Sequence, residues 1–341
     1  MLCGADALRS AANATTLSRH ERLKAAMMAS GLSRGRSGGL VVLNTIDRHY
    51  TGLIRAWKAM VLSAPFEKHP FVVAMDDEAE AATRAAELAY FAPGVEKDDG
   101  GRDGGRDGGL PAACAGASPS FSRRAGSRPA QLPGSYHPLM IQGKAADTRV
   151  LPPDLPSWKM HAVWGALALG HRVLFSESDV LWMPGGGIER HLLQLADDFA
   201  PQRHPMTPVW NFGFFFAQGD HTAAFFACGV RLWERKQLLA RHAGRVVDIG
   251  SDQRFLWDLW RHRSCGPLTV AKLPLERFPT CRDWIHRRAA LVVHVTYCHR
   301  LSLLLSAEDV CKRKLMEEFY LGGGIAIENL TSPHWNKRMG C

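Results

Sequence analysis

Two carboxylates, Glu177 and Asp179, stand one residue apart, directly after the apolar run Val173-Leu174-Phe175 and directly before Val180-Leu181-Trp182. The first run has the length and residue types of a buried strand. In an extended chain, side chains at i and i+2 point the same way. An open α/β sheet collects ligands at the carboxyl ends of its strands. Two acids in that place can seat a divalent cation carrying a phosphorylated ligand, because hard cations take oxygen ligands. The alternative is a strand that ends in solvated acids at a turn, since so short a triplet recurs by accident.

Such a pair works only if a sheet presents it, and the chain supplies the elements in order. Leu40-Val41-Val42-Leu43-Asn44 reads as a buried strand, and Phe71-Val72-Val73-Ala74-Met75 as a second that ends at Asp76-Asp77. Between them Tyr50, Leu53, Ile54, Trp57 and Val61 recur at helical spacing. Glu78 to Tyr90 is Ala/Glu-rich and reads as a helix. Strand, helix, strand, helix at this spacing is a βαβ unit and predicts a parallel sheet with right-handed crossovers. Asn44 and Asp76 fall at strand carboxyl ends, where they either meet a nucleotide or form turns. A helix opening at Pro156-Ser157, with Ser157 as N-cap, carries Trp158, Val163, Trp164 and Leu167 and stops at Gly170. It delivers the chain to the acidic pair.

Val209 to Ala217 is strongly apolar but holds Asn211 and Gly213. Gly inside a strand marks a bulge or a close approach to a ligand. Thr222 to Leu239 and a segment started by Ser251-Asp252-Gln253 read as helices. Leu268 to Ala271 and Leu291 to Val295 read as the last strands, with His294 inside an apolar run, either a satisfied core histidine or a ligand. Glu308 to Phe319, carrying Lys312, is the last helical pattern. Residues 1–37 read as a low-information tail with a helical option at Leu17 to Met28, 38–330 as one domain, and 331–341 as a second tail. Residues 96–134, with their Gly-Gly-Arg-Asp repeat, read as a disordered insertion in that domain.

With 46% hydrophobic and 22% charged residues among 341, the chain can bury a large core. The net charge of +9 is scattered and forms no long basic block, so no nucleic-acid partner is expected; it suits an anionic ligand such as a nucleotide diphosphate. The eight cysteines form no C-x-x-C pair, which speaks against a structural zinc site, while five between Cys228 and Cys311 suit disulfides in a secretory lumen. No stretch reaches the roughly 18 apolar residues of a membrane span, and no signal-like apolar region is visible in the first 40 residues.

Taken in order, the blocks from Trp158-Lys159 to Gly170, Val173 to Trp182, Asn211-Phe212-Gly213-Phe214-Phe215, Asp252-Gln253, His294-Val295-Thr296-Tyr297 and Lys312-Arg313 resemble those of glycosyltransferase family 77 of plants and algae. The resemblance covers residues 38–95 and 136–321. It implies a GT-A fold: a Rossmann-like α/β domain with a mostly parallel central sheet flanked by helices. It also implies a UDP-sugar donor, Mn²⁺ or Mg²⁺, a glycan or glycoprotein acceptor of the cell wall, and transfer with retention. Asp179 and His294 would ligate the metal. Glu177 would join them or face the ribose. Lys159 and Lys312 would meet the cofactor, as would Asn44 and Asp76. Asp252, Gly213 and Asn211 would form the reaction centre. Members are anchored in the Golgi, so membrane contact would run through a segment not visible in this sequence. Glu177 replaces the usual Asp, which keeps open a catalytically silent relative that binds sugar nucleotide or glycan.

Overall fold

The computed structural model describes residues 3–32, 40–64, 67–93, 155–183, 187–204, 208–242, 252–280 and 289–295. The insertion at 96–134, the C-terminal tail, the helix expected over Glu308 to Phe319 and Lys312 lie outside them.

The described chain runs α1 (Cys3–Ala29), β1 (Leu40–Ile46), a 3₁₀ turn into α2 (Ile54–Ser63), β2 (Lys68–Ala74), α3 (Asp77–Ala85) and β3 (Ala89–Phe91). It continues through α4 (Leu155–Ala168), β4 (Arg172–Ser176), β5 (Val180–Trp182), α5 (Ile188–Leu193), β6 (Phe199–Arg203) and β7 (Trp210–Ala217). It closes with α6 (Gly219–His242), α7 (Asp252–Arg261) and β8 (Val292–His294). Six strands form one sheet in the order β3-β2-β1-β4-β7-β6. β3, β2, β1 and β4 are mutually parallel, β7 is antiparallel to β4, and β6 is antiparallel to β7. The expected α/β class with a mostly parallel central sheet is the one observed. Strand β5 pairs antiparallel with β8 in a separate two-stranded ribbon.

The apolar runs are continuous because both faces of the sheet are covered. Leu40, Val42, Val72 and Leu174 face a core shared with α2 and the β5–β8 ribbon. Val41, Leu43, Phe71, Val73, Val173 and Phe175 face the other way, into a core built by α1, α4, α6 and α7. Helix α4 is buried nearly all round, as a central helix must be.

The order of strands reverses between β1 and β4. From β1 the chain steps one way to β2, and β4 lies on the other side. That is the switch point at which open α/β sheets bind ligands.

Several expectations change. The helical option at Leu17 to Met28 is realised and extended: residues 3–29 form one helix. Its apolar side is sparse, but Leu23 and Met27 are fully buried, and polar bonds add to the docking. Tyr90 is not in a helix: α3 ends at Ala85 and β3 adds an edge strand. Leu268 to Ala271 makes only an isolated bridge between Val270 and Phe199. Ser157 does not cap α4, which starts two residues earlier; its hydroxyl donates to Glu234 Oε1 at 3.1 Å.

Candidate metal centre

The acidic pair does not lie in extended chain. Glu177, Ser178 and Asp179 form a tight turn between β4 and β5, closed by Val180 N–H donating to Glu177 O. The turn stands on a fixed base. Ser176, the last residue of β4, is fully buried; its carbonyl accepts from the Trp57 indole at 3.1 Å and its hydroxyl from the Trp182 indole at 3.1 Å. Asn44, in β1, donates to the Ser178 hydroxyl at 2.8 Å across the switch point. Asn44 therefore supports the turn from beneath. Asp76 is occupied elsewhere: one carboxylate oxygen caps α3 through Ala79 N–H and the other accepts from Arg48 N–H. That is the turn-forming role, and Asp76 does not line the cavity at the acidic pair.

Two further strands close on the turn. Asp179 O accepts from Val295 N–H, and β5 pairs Val180 with His294, so the ribbon fixes the histidine beside Asp179. Gly213 O accepts from Glu177 N–H at 2.8 Å. Strand β7 is irregular here. Pro201 pairs with Phe215 but Gln202 pairs with Asn211, so residues 212–214 bulge away from β6. The bulge also changes which positions face which core: Trp210 and Phe212 share one core with Phe215 and Ala217, while Phe214 and Phe216 enter the other. Gly213 lies at this change. A Cβ on it would overlap both the His294 ring and the Glu177 carboxylate. The bulge expected of this glycine is present, and the close approach is to the His294 and Glu177 side chains.

The result is a cluster. One ligand atom each from Glu177, Asp179 and His294 lie within 4.8 Å of one another. His294 Nε2 is 3.3 Å from Asp179 Oδ1 and 3.6 Å from Glu177 Oε2. His294 and Asp179 are buried, and Glu177 is one-third exposed. Lys159 enters from α4, with its ammonium 2.7 Å from Glu177 Oε1 and 3.0 Å from Asp252 Oδ2. Burial opposes its charge, but the carboxylates of Asp252 and Glu177 outweigh that and leave its pKa raised. Lys159 therefore braces two acids, and it also donates to Phe212 O at 3.4 Å. Asp252 starts α7 and accepts from Gln253 N–H.

Tyr50, Lys159, Glu177, Asp179, Asp252 and His294 are among the residues around a cavity of about 110 Å³. Three carboxylates there face one ammonium, leaving two negative charges in a partly enclosed space. That surplus, with two carboxylates and an imidazole converging, fits a divalent cation and leaves room for further oxygen ligands. Of the sequence-predicted residues, Glu177, Asp179, His294, Asn211, Gly213, Asp252 and Lys159 come together. Gln202, fully buried in β6 with Oε1 3.0 Å from His294 Nδ1, was not foreseen. The sequence predicts no strand over Phe199–Arg203, so nothing local points to it.

No family model matches the chain, and no curated protein matches it in sequence. Among solved structures it is similar to the glycosyltransferase GlyE of Streptococcus pneumoniae TIGR4, at 11% identity over 90% of this chain and a TM-score of 0.43. It is also similar to the galactosyltransferase LgtC in complex with donor and acceptor sugar analogs, at 12% identity, 88% of this chain, 99% of that one and a TM-score of 0.38. A third is the bifunctional WbbM, at 10% identity, 82% of this chain, 50% of that one and a TM-score of 0.38. The chain spans 64% of the length of GlyE. Likeness at this level carries no argument about function.

Proposed function

We propose that the protein is a metal-dependent glycosyltransferase that moves a sugar from a UDP-sugar to a glycan or glycoprotein. The observation that carries the reading is the convergence of Glu177, Asp179 and His294 at the switch point of the sheet, next to the Lys159-braced Asp252. The resemblance to glycosyltransferase family 77 supports a retaining reaction with Mn²⁺, a pentose or galactose donor and a cell-wall acceptor. The disulfide between Cys228 and Cys265 supports an oxidising compartment such as the Golgi lumen.

Asp179, His294 and Glu177 Oε2 would hold the cation. When bound, it would supply the positive charge that a departing nucleoside diphosphate needs. The chain's own residues then set the geometry. Lys159 fixes the rotamers of Glu177 and Asp252 by pairing with both. Gly213 keeps the space above the imidazole and carboxylate clear. Asp252, the second carboxylate paired with Lys159 and also at the cavity, is the one available to orient the sugar. A cavity of about 110 Å³ suits a cation and its nearest ligands, while the rest of a donor would extend beyond it.

Titration of UDP into the protein with and without Mn²⁺ tests this. Binding that requires the metal and disappears in Asp179→Asn is expected. UDP binding that ignores both metal and mutation would remove the metal centre from the reading. Glu177 in the place of the usual Asp motivates a second reading, a relative that binds sugar nucleotide without turning it over. Slow hydrolysis of any UDP-sugar separates the two.

A further inference from the structure

His294 Nδ1 meets two amide side chains with opposite demands. On one side Gln202 Oε1 lies 3.0 Å away. The orientation of that amide is fixed, because its Nε2 donates to Phe278 O at 2.9 Å and Pro279 O at 3.1 Å. Gln202 therefore presents an acceptor and requires a proton on Nδ1. On the other side Asn211 Nδ2 lies 2.9 Å from the same nitrogen. Its Oδ1 accepts from Gly213 N–H at 3.0 Å, so this amide is oriented too, and it presents a donor. One ring nitrogen cannot satisfy both.

The two demands correspond to the two neutral tautomers. With the proton on Nε2, the ring accepts from Asn211 and its Nε2–H faces Asp179 Oδ1 at 3.3 Å. With the proton on Nδ1, the ring donates to Gln202 and the Nε2 lone pair points toward the carboxylates. Only the second can ligate a metal through Nε2. We propose that Gln202 is a positioning residue that selects the metal-competent tautomer of His294, against a resting preference set by Asn211 and Asp179. The exchange moves one proton within the ring and neither releases nor takes one up.

The proposal rests on the metal-centre reading and adds a residue to it. Gln202 is suited to the role by its own support. Pro279 O, which anchors its amide, also accepts from His294 N–H at 3.0 Å. The side chain thus ties the backbone and the ring of His294 to one loop. A ligating histidine held this way through its second nitrogen is the usual arrangement of metal sites.

Mn²⁺ alone is titrated calorimetrically into the full chain, its Q202L variant and its Q202E variant. The His294 ring is read by ¹⁵N NMR, with and without Zn²⁺ as a diamagnetic cation, and assigned by the loss of its signals in H294Q. Q202L is expected to bind Mn²⁺ about 10–100-fold more weakly, with its cation-free ring on Nε2–H. Q202E keeps an acceptor for Nδ1 but loses the donors to Phe278 and Pro279; it is expected to retain more affinity than Q202L, with the ring on Nδ1–H. Equal affinity in Q202L, or an equal loss in both variants, would overturn the proposal and leave the metal centre standing. No cation binding to the wild-type chain would overturn both. If Q202L does not fold, Q202E decides: retained affinity with Nδ1–H supports the proposal, and lost affinity ends it.

Discussion

Lys159 Nζ sits 2.7 Å from Glu177 Oε1 with only 4% of the lysine side chain exposed. The ammonium is held within the protein by that carboxylate and by Asp252 Oδ2 at 3.0 Å. A buried ion pair adds little net stability, but breaking one is costly because the remaining charge is stranded. Lys159→Met should therefore destabilise the protein by about 3 kcal/mol, read as a lower urea midpoint at unchanged slope. Adding Asp252→Asn should recover part of that loss, since the two sites share one interaction. A K159M protein as stable as wild type would show that the two acids do not depend on the lysine.

Gly213 is the tightest point of the site. Ala there would drive its methyl into the His294 ring and the Glu177 carboxylate, and both are tethered by other bonds. Overpacking of this kind costs roughly 1–3 kcal/mol. The larger effect should be on ligands, because the ring and carboxylate must separate to admit the methyl. Gly213→Ala should fold, melt at a lower temperature and lose metal-dependent UDP binding. Retained binding would mean that the bulge at 212–214 yields without moving the ligand atoms.

The elements that carry this site were readable where burial makes a local signature. β1, β2 and β4 are apolar runs because helices cover both faces of the sheet, and the acidic turn stands out against the runs on either side. Gly213 was readable because a glycine between aromatics in a strand has few bland explanations. What could not be read depends on partners far along the chain. Of helix α1 only the stretch from Leu17 to Met28 was legible, and its docking draws on Thr16 and Arg19 meeting Glu234 more than 200 residues away. The pairing of β5 with β8, which brings His294 to Asp179, is invisible to local periodicity. Gln202 belongs to the same class: its partners Phe278, Pro279 and His294 lie 76, 77 and 92 residues further along the chain.

Glu234 makes that docking sensitive to acid. Its carboxylate is buried, yet its pKa is lowered to about 2: burial would raise it, but the hydrogen bond and charge of His161, the Thr16 hydroxyl and Arg19 prevail, and Ser157 also donates. The stability it contributes is complete above the unfolded value near 4.5 and is lost as pH falls toward 2. His20, stacked on Trp164 and near His161, Lys24 and Glu21, is lowered to about 4, mainly by burial. Its neutral form is favoured in the fold, so its contribution is complete above about 6.5 and is lost as pH falls to 4. Stability should thus decline in two overlapping steps from pH 6.5 to 2. Glu234→Gln should remove the lower step and His20→Phe the upper one, in melting temperatures recorded across that range. A curve unchanged by either substitution would detach α1 from the acid response.

Cys228 of α6 and Cys265, just beyond α7, close a loop of 37 residues in sequence separation. That loop includes Asp252 at the start of α7, so the bridge constrains the segment that brings this carboxylate to Lys159. By loop-closure entropy a link of this length stabilises by roughly 3–4 kcal/mol. Replacing both cysteines with serine should lower the urea midpoint accordingly, and reductant should do the same to the wild type while leaving the double variant unaffected. Asp179 and His294 are held by strands outside the closed segment, by β4, β5 and β8. Metal affinity should therefore change much less than stability. If metal affinity fell in step with stability, α7 and the β5–β8 ribbon would have to be mechanically coupled through Lys159, and K159M should then abolish that dependence.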